Sequence, residues 1–232
     1  MHIPDGFLNN GVASGFLAGA VAMLGFCLGK VLKAVSVISG VLAGNADGNS
    51  NIAFNGGSFS LSNGASSFFQ KMCIAAIWVF AFQMFNLPIA SATSAHLLGG
   101  VFAAILVGPF AGFIVISSVL IIQSFFFADG GVLALGANIF NMAFIGSLIS
   151  YYIYKSLSHK SYYLAVTTAC FFSILVSAFA CVVELSISGT VSFGSALKDM
   201  MNLHLIFAVL ETFITLILVK AFKSLTGGNN EK

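Results

Sequence analysis

LLGGVFAAILVGPFAGFIVISSVLIIQSFFF, residues 97–127, carries no charged side chain and is broken once, at Gly108 and Pro109. The part after the break, 111–127, approaches the roughly 20 mainly apolar residues that a membrane-spanning helix needs. The part before it, 97–107, is about half that length. A long uncharged run of this kind belongs in lipid. A short, interrupted span says more, because irregular backbone at membrane depth is tolerated only where protein or a polar cavity surrounds it, which is where transport proteins hold their ligands.

The pattern extends outward in both directions. Of 232 residues, 59% are hydrophobic and 7% charged, with a mean hydropathy of +1.03. That leaves too few polar groups to cover a globule in water. Further spans are expected at 11–32, with a helical extension beyond Lys30 and Lys33, and at 69–86, 138–154, 162–185 and 204–222. With the two parts of the opening stretch, the expectation is an all-α, polytopic membrane helical bundle of about seven transmembrane helices, forming one transmembrane domain over 1–232. An Asn-, Gly- and Ser-rich tract at 44–66 reads as a flexible loop. Its fragment NADGNSN has a central Gly out of calcium-loop register and no closing Glu. Gly11, Gly15 and Gly19, then Gly25 and Gly29, make a small-residue stripe that permits close helix approach, and Gln83 and Asn86 are polar groups suited to bonding across helices.

Orientation follows from the lysines, since the chain has no arginine. With the amino terminus outside and the carboxyl terminus cytoplasmic, Lys30, Lys33, Lys71, Lys155, Lys160, Lys220, Lys223 and Lys232 fall inside and Lys198 alone outside. The same orientation places Asp5, Asp129 and Asp199 on the outer side, an acidic mouth that attracts cations. No basic region precedes the first apolar run, so the mature chain is expected to begin at Met1, and the bulk of His2 is expected to keep Met1 in place. Cys27, Cys73, Cys170 and Cys181 lie in apolar runs without metal-site spacing and read as small buried hydrophobes.

Three of the four histidines, His2, His96 and His204, map to the outer half of the bundle, and His159 to an inner loop. A free amine on residue 1 and an imidazole on residue 2 can close on one metal ion through the amine, the deprotonated amide nitrogen of residue 2 and Nδ1. These occupy three corners of a square, and one further imidazole completes a four-nitrogen set that suits Ni(II) or Cu(II) and accommodates Co(II). The turn at Pro4, Asp5 and Gly6 provides a way to fold the terminus back into the bundle. His204 and Glu211, seven residues apart, share a helix face and are candidates for a polar network near the site.

Three stretches carry a family resemblance: MHIPDGFL at 1–8, FQMFNLPIASATSAHLLGG at 82–100, and LVGPFAGFIVISSVLIIQSFFFADGGVLALGANIFNMAFIG at 106–146, with a weaker continuation in HLIFAVLE at 204–211. Together they resemble the CbiM/NikM family, the substrate-binding (S) components of energy-coupling-factor (ECF) cobalt and nickel importers. The resemblance implies metal ligation by Met1, His2 and His96, with supporting roles around them for Asp5, Ser94, Asn138 and Asn141, and for His204 and Glu211. It implies Ni2+ or Co2+ as transported ligand, no other cofactor, and a place in a bacterial or archaeal cell membrane. The implied partners are a transmembrane coupling (T) subunit, cytoplasmic ATPases and a small accessory membrane subunit, with no nucleic acid. The motif reads SATSAH where the family has glycines before the His, and the extra side chains at Ala92 and Ala95 bear on affinity or metal preference.

The chain lacks a GxxxxGK[ST] loop, so ATP hydrolysis is assigned to partners, and without an HExxH pair or a Ser/His constellation it is not read as an enzyme. The alternative is an autonomous divalent-cation channel or secondary transporter using Asp129, Glu211 and His204 as an ion path.

Overall fold

A computed structural model describes residues 1–44, 63–89 and 93–225. The flexible loop expected over 44–66 lies outside the described residues from 45 to 62, and so do Ala92 and Lys232. The chain forms helix α1 (Asn10–Gly44), helix α2 (Asn63–Gln83) and a short antiparallel hairpin of β1 (Leu87–Ile89) and β2 (Thr93–Ala95). Then come α3 (Gly100–Val107), α4 (Pro109–Phe126), α5 (Leu135–Ile139), a π-helical segment (Phe140–Ile149), α6 (Ser150–Ser158), α7 (Tyr162–Ile187) and α8 (Phe193–Leu225).

Among the described residues five helices are long and apolar enough to cross a membrane: α1, α2, α4, α7 and α8. The remaining two expected spans correspond to the eight-residue α3 and to the composite helix that runs from α5 through the π segment to α6. The break between α3 and α4 is made by Gly108, whose φ of +88° reverses the chain, and by Pro109 at the first position of α4. α8 starts earlier than expected, because 193–203 contains no helix breaker beyond Gly194 and its Ala, Leu, Lys and Met residues favour helix.

The expected span at 138–154 differs most. Ten residues, Phe140–Ile149, adopt the wider π winding. Two serines of α7 donate to carbonyls of this segment: Ser173 Oγ to Gly146 O at 2.9 Å and Ser177 Oγ to Asn141 O at 2.5 Å. Of the five long helices α4 and α7 are the most enclosed and α1 and α2 the most peripheral. Within this chain the glycine stripe of α1 seats no helix among the described residues, since beside Gly15, Gly19, Gly25 and Gly29 a methyl group meets nothing within 4 Å. Rather than seating another helix, Gly11, Gly15 and Gly19 line an apolar cavity of about 560 Å³ with Phe113, Phe140 and Glu184.

Candidate metal centre

The first residues are held by backbone pairing. Met1 and Ile3 are fully buried and His2 nearly so. Ile3 N donates to Asn138 Oδ1 at 2.9 Å while Asn138 Nδ2 donates to Ile3 O at 3.2 Å, so one side-chain amide meets the Ile3 backbone as a neighbouring strand does. Gly131 N also donates to Ile3 O, at 2.8 Å. The Asp5 carboxylate accepts from Leu133 N at 2.7 Å, Val132 N at 3.1 Å and Ala134 N at 3.4 Å, and so caps the turn that leads into α5. At Gly131 a Cβ would collide with the backbone and carboxylate of Asp5.

Three nitrogen-bearing groups meet behind this segment. The Met1 amine donates to the carbonyl of Ser94 in β2. The His2 and His96 rings lie 4.6 Å apart, centroid to centroid, at 77°. His96 Nδ1 is 2.8 Å from Leu97 O. Because a carbonyl only accepts, Nδ1 carries the proton and Nε2 keeps its lone pair; that Nε2 is buried and has no hydrogen-bond partner. His2 Nδ1 faces Asp129 Oδ1 at 3.3 Å, and Asn86 Nδ2 donates to the same oxygen at 3.1 Å. A three-nitrogen chelate through His2 needs Nδ1 on the side of its own backbone.

Burial lowers the Met1 amine from 8.0 to about 5, partly offset by Cys181 and Asp129. It lowers His2 to about 4 against the opposing pull of Asp129, with the amine adding to the drop. His96 is held well below 6.5, first by burial and then by the amine and His2. All three are neutral at pH 7 and offer lone pairs. Among the described residues no three His, Cys, Asp or Glu side chains gather as a metal-binding group. The donor set on offer is instead an amine, a backbone amide and two imidazoles.

The other candidates divide. Ser94 supplies its carbonyl to the amine, and Asp5 and Asn138 hold the terminal segment. Asn141 does not reach that segment and donates to Glu184 Oε2 at 2.7 Å. His204 is buried on α8 with Nδ1 2.7 Å from Met200 O. Glu211 accepts from Leu98 N at 2.9 Å and Gly99 N at 2.8 Å. Gln83 and Asn86 bond outside their own helix as expected, Gln83 Nε2 to Leu98 O at 3.0 Å and Asn86 Nδ2 to Asp129 Oδ1. Reasoning from sequence missed the contact of Asp129 with His2, for which the available signal was the turn sequence Asp129-Gly130-Gly131.

A family model for the cobalt uptake substrate-specific transmembrane region, CbiM, matches residues 59–226. A protein of Archaeoglobus fulgidus named as a fused nickel transport protein, NikMN, is 35% identical over 199 residues, which cover 85% of this chain. The match spans only 56% of that relative's length. The cobalt transport protein CbiM of Thermosipho melanesiensis is 33% identical over 158 residues, 64% of this chain and 67% of that protein. A crystal structure of a transition metal transporter superposes with a TM-score of 0.79 at 29% identity, covering 99% of this chain and 95% of the other.

Proposed function

The chain belongs to the CbiM family of cobalt-uptake transmembrane proteins, and from that premise we propose that it is the substrate-specificity component of an ECF-type importer, taking up Ni2+ or Co2+. Family membership and its apolar helices make it a multi-pass membrane protein of transition-metal transport. The observation that carries the finer reading is the meeting of a buried Met1 amine, the His2 ring and the unpartnered His96 Nε2.

In this reading Met1 is the free amino terminus. The ion enters from the outer face, where Asp129 stands beside His2. The amine exchanges its bond to Ser94 O for the metal, the His2 ring turns, and the His2 amide releases its proton to water as its nitrogen binds. His96 Nε2 completes the square, which favours Ni(II) over tetrahedral Zn(II). The bundle crosses the membrane seven times, α3 as a half-length span, with the amino terminus outside and the carboxyl terminus in the cytoplasm. ATP hydrolysis by cytoplasmic partners, transmitted through a transmembrane coupling subunit, reorients the bundle and releases the ion inward; a small accessory membrane subunit completes the assembly.

The test is equilibrium binding of Ni(II) and Co(II) to purified protein with an unmodified amino terminus, read by absorption spectra that distinguish square-planar from tetrahedral sites. A residue added before Met1 and His96→Ala are each expected to weaken binding by at least about 100-fold. Unchanged affinity in both variants, or a tetrahedral spectrum, overturns the ligand set. Uptake that persists without any ATPase partner overturns the importer assignment.

A further inference from the structure

The ring of His96 is oriented through a peptide bond that a distant helix holds from its other edge. His96 Nδ1 donates to Leu97 O at 2.8 Å, and the N–H of that same peptide unit, on Leu98, donates to Glu211 Oε2 at 2.9 Å. A peptide unit is planar and stiff, so fixing its N–H fixes the direction of its carbonyl. The other carboxyl oxygen, Oε1, accepts Gly99 N at 2.8 Å, which leaves Glu211 little freedom to swing. Gly99 stands at the N-cap of α3 with no side-chain cap, and Glu211, from α8, holds the N–H groups of Gly99 and of Leu98 just before it. On the far side Gln83 of α2 donates to Leu98 O at 3.0 Å, and Leu98 itself is fully buried.

We propose that Glu211 is the positioning residue that aims His96 Nε2 at the metal through the Leu97–Leu98 peptide, so that metal affinity depends on how α8 is seated. The proposal rests on the metal-binding reading above. Groups that orient a ligating histidine through its other ring nitrogen are worth about 10–100-fold in metal affinity, and here a peptide is interposed between the carboxyl group and the ring. The consequence for transport is direct. The other face of α8 carries exposed Leu205, Ile206, Val209, Leu210, Phe213 and Ile217, so a force applied there to turn or slide α8 pulls Glu211 off the peptide and lets His96 leave the ion.

The experiment titrates Ni(II) into purified full-length protein with a native terminus, for wild type, Glu211→Gln and Glu211→Ala, each with and without His96→Ala. In wild type both substitutions are expected to weaken binding about tenfold or more and to alter the ligand-field spectrum. With His96→Ala, where Met1 and His2 alone bind the ion, Glu211→Gln is expected to change affinity less than about twofold, since its effect runs through the missing ring. An equal loss in both backgrounds assigns Glu211 a general structural role and overturns the proposal. So do wild-type affinity and spectrum in Glu211→Gln, the variant of matched size that decides the matter if Glu211→Ala does not fold. A wild type that binds neither Ni(II) nor Co(II) removes the metal reading itself, an outcome distinct from either.

Discussion

At Met1, burial and the proposed ligation act on the same nitrogen. Desolvation holds the amine at about 5 in the folded chain, against 8.0 when exposed. Between these values the unfolded chain binds a proton that the folded chain does not. The docked amine is therefore expected to contribute stability that appears as pH rises from 5 to 8, and a melting temperature in detergent whose pH dependence is the same with the amine free and with it acetylated contradicts the docked amine. Metal affinity is expected to hold near pH 7 and to fade as pH drops through about 5, where protons reclaim the amine. Asn138 gives a second prediction, because its amide makes both bonds to Ile3. Asn138→Ala leaves buried backbone groups with fewer partners, at a cost of about 1–3 kcal/mol, and is expected to loosen the terminus and weaken Ni(II) binding by about tenfold. Titration beside a thermal melt separates the two effects. Asn141, grouped with Asn138 around the terminus by the family resemblance, bonds Glu184 instead. Two asparagines three residues apart look alike in sequence, and only the course of the helix decides which one meets residue 3.

Among the elements, the terminal segment and the loop at 129–134 form one docking unit. Its tightest point is Gly131 against Asp5. Gly131→Ala is expected to displace Asp5 and abolish high-affinity metal binding while leaving the helices in place, which circular dichroism and metal titration measure side by side. α1 gives the opposite expectation. Gly15 and Gly19 have open space beside them, so Gly15→Ala and Gly19→Ala are each expected to be neutral or to stabilise by up to about 1 kcal/mol, through reduced backbone freedom in the unfolded chain. A clear loss of thermal stability shows that the stripe is packed against something in detergent. The small-residue pattern was visible in sequence, but whether it meets a neighbour depends on how α1 is rotated. The π winding of Phe140–Ile149 had no sequence signal, since an apolar run reads the same at either pitch. Ser173 and Ser177 of α7 donate to two of its carbonyls, contacts that belong to the packing of the two helices.

For the whole molecule, the lysine distribution predicts that Lys160 and Lys198 lie on opposite sides of the membrane. With exposed Cys73 replaced and the other three cysteines buried, Lys198→Cys is expected to react with an impermeant maleimide on intact cells and Lys160→Cys only after permeabilisation; the reverse pattern inverts the orientation. By itself the sequence determined that this is a helical membrane bundle, because an apolar surplus of this size has no other solvent and its uninterrupted apolar runs are of helical span length. It also laid out the chemistry of the proposed site, in which a free amine on Met1 beside His2 chelates a metal ion. The tertiary structure alone decided that His96 Nε2 is the nitrogen left without a hydrogen bond, that His2 faces Asp129, and that Glu211 grips the peptide beside His96. Glu211 and Leu98 are 113 residues apart. Contacts across such a distance follow from the packing of α8 against the hairpin and α3, and hydrophobic periodicity, which fixes a helix and its buried face, says nothing about which backbone N–H a buried carboxyl group will meet.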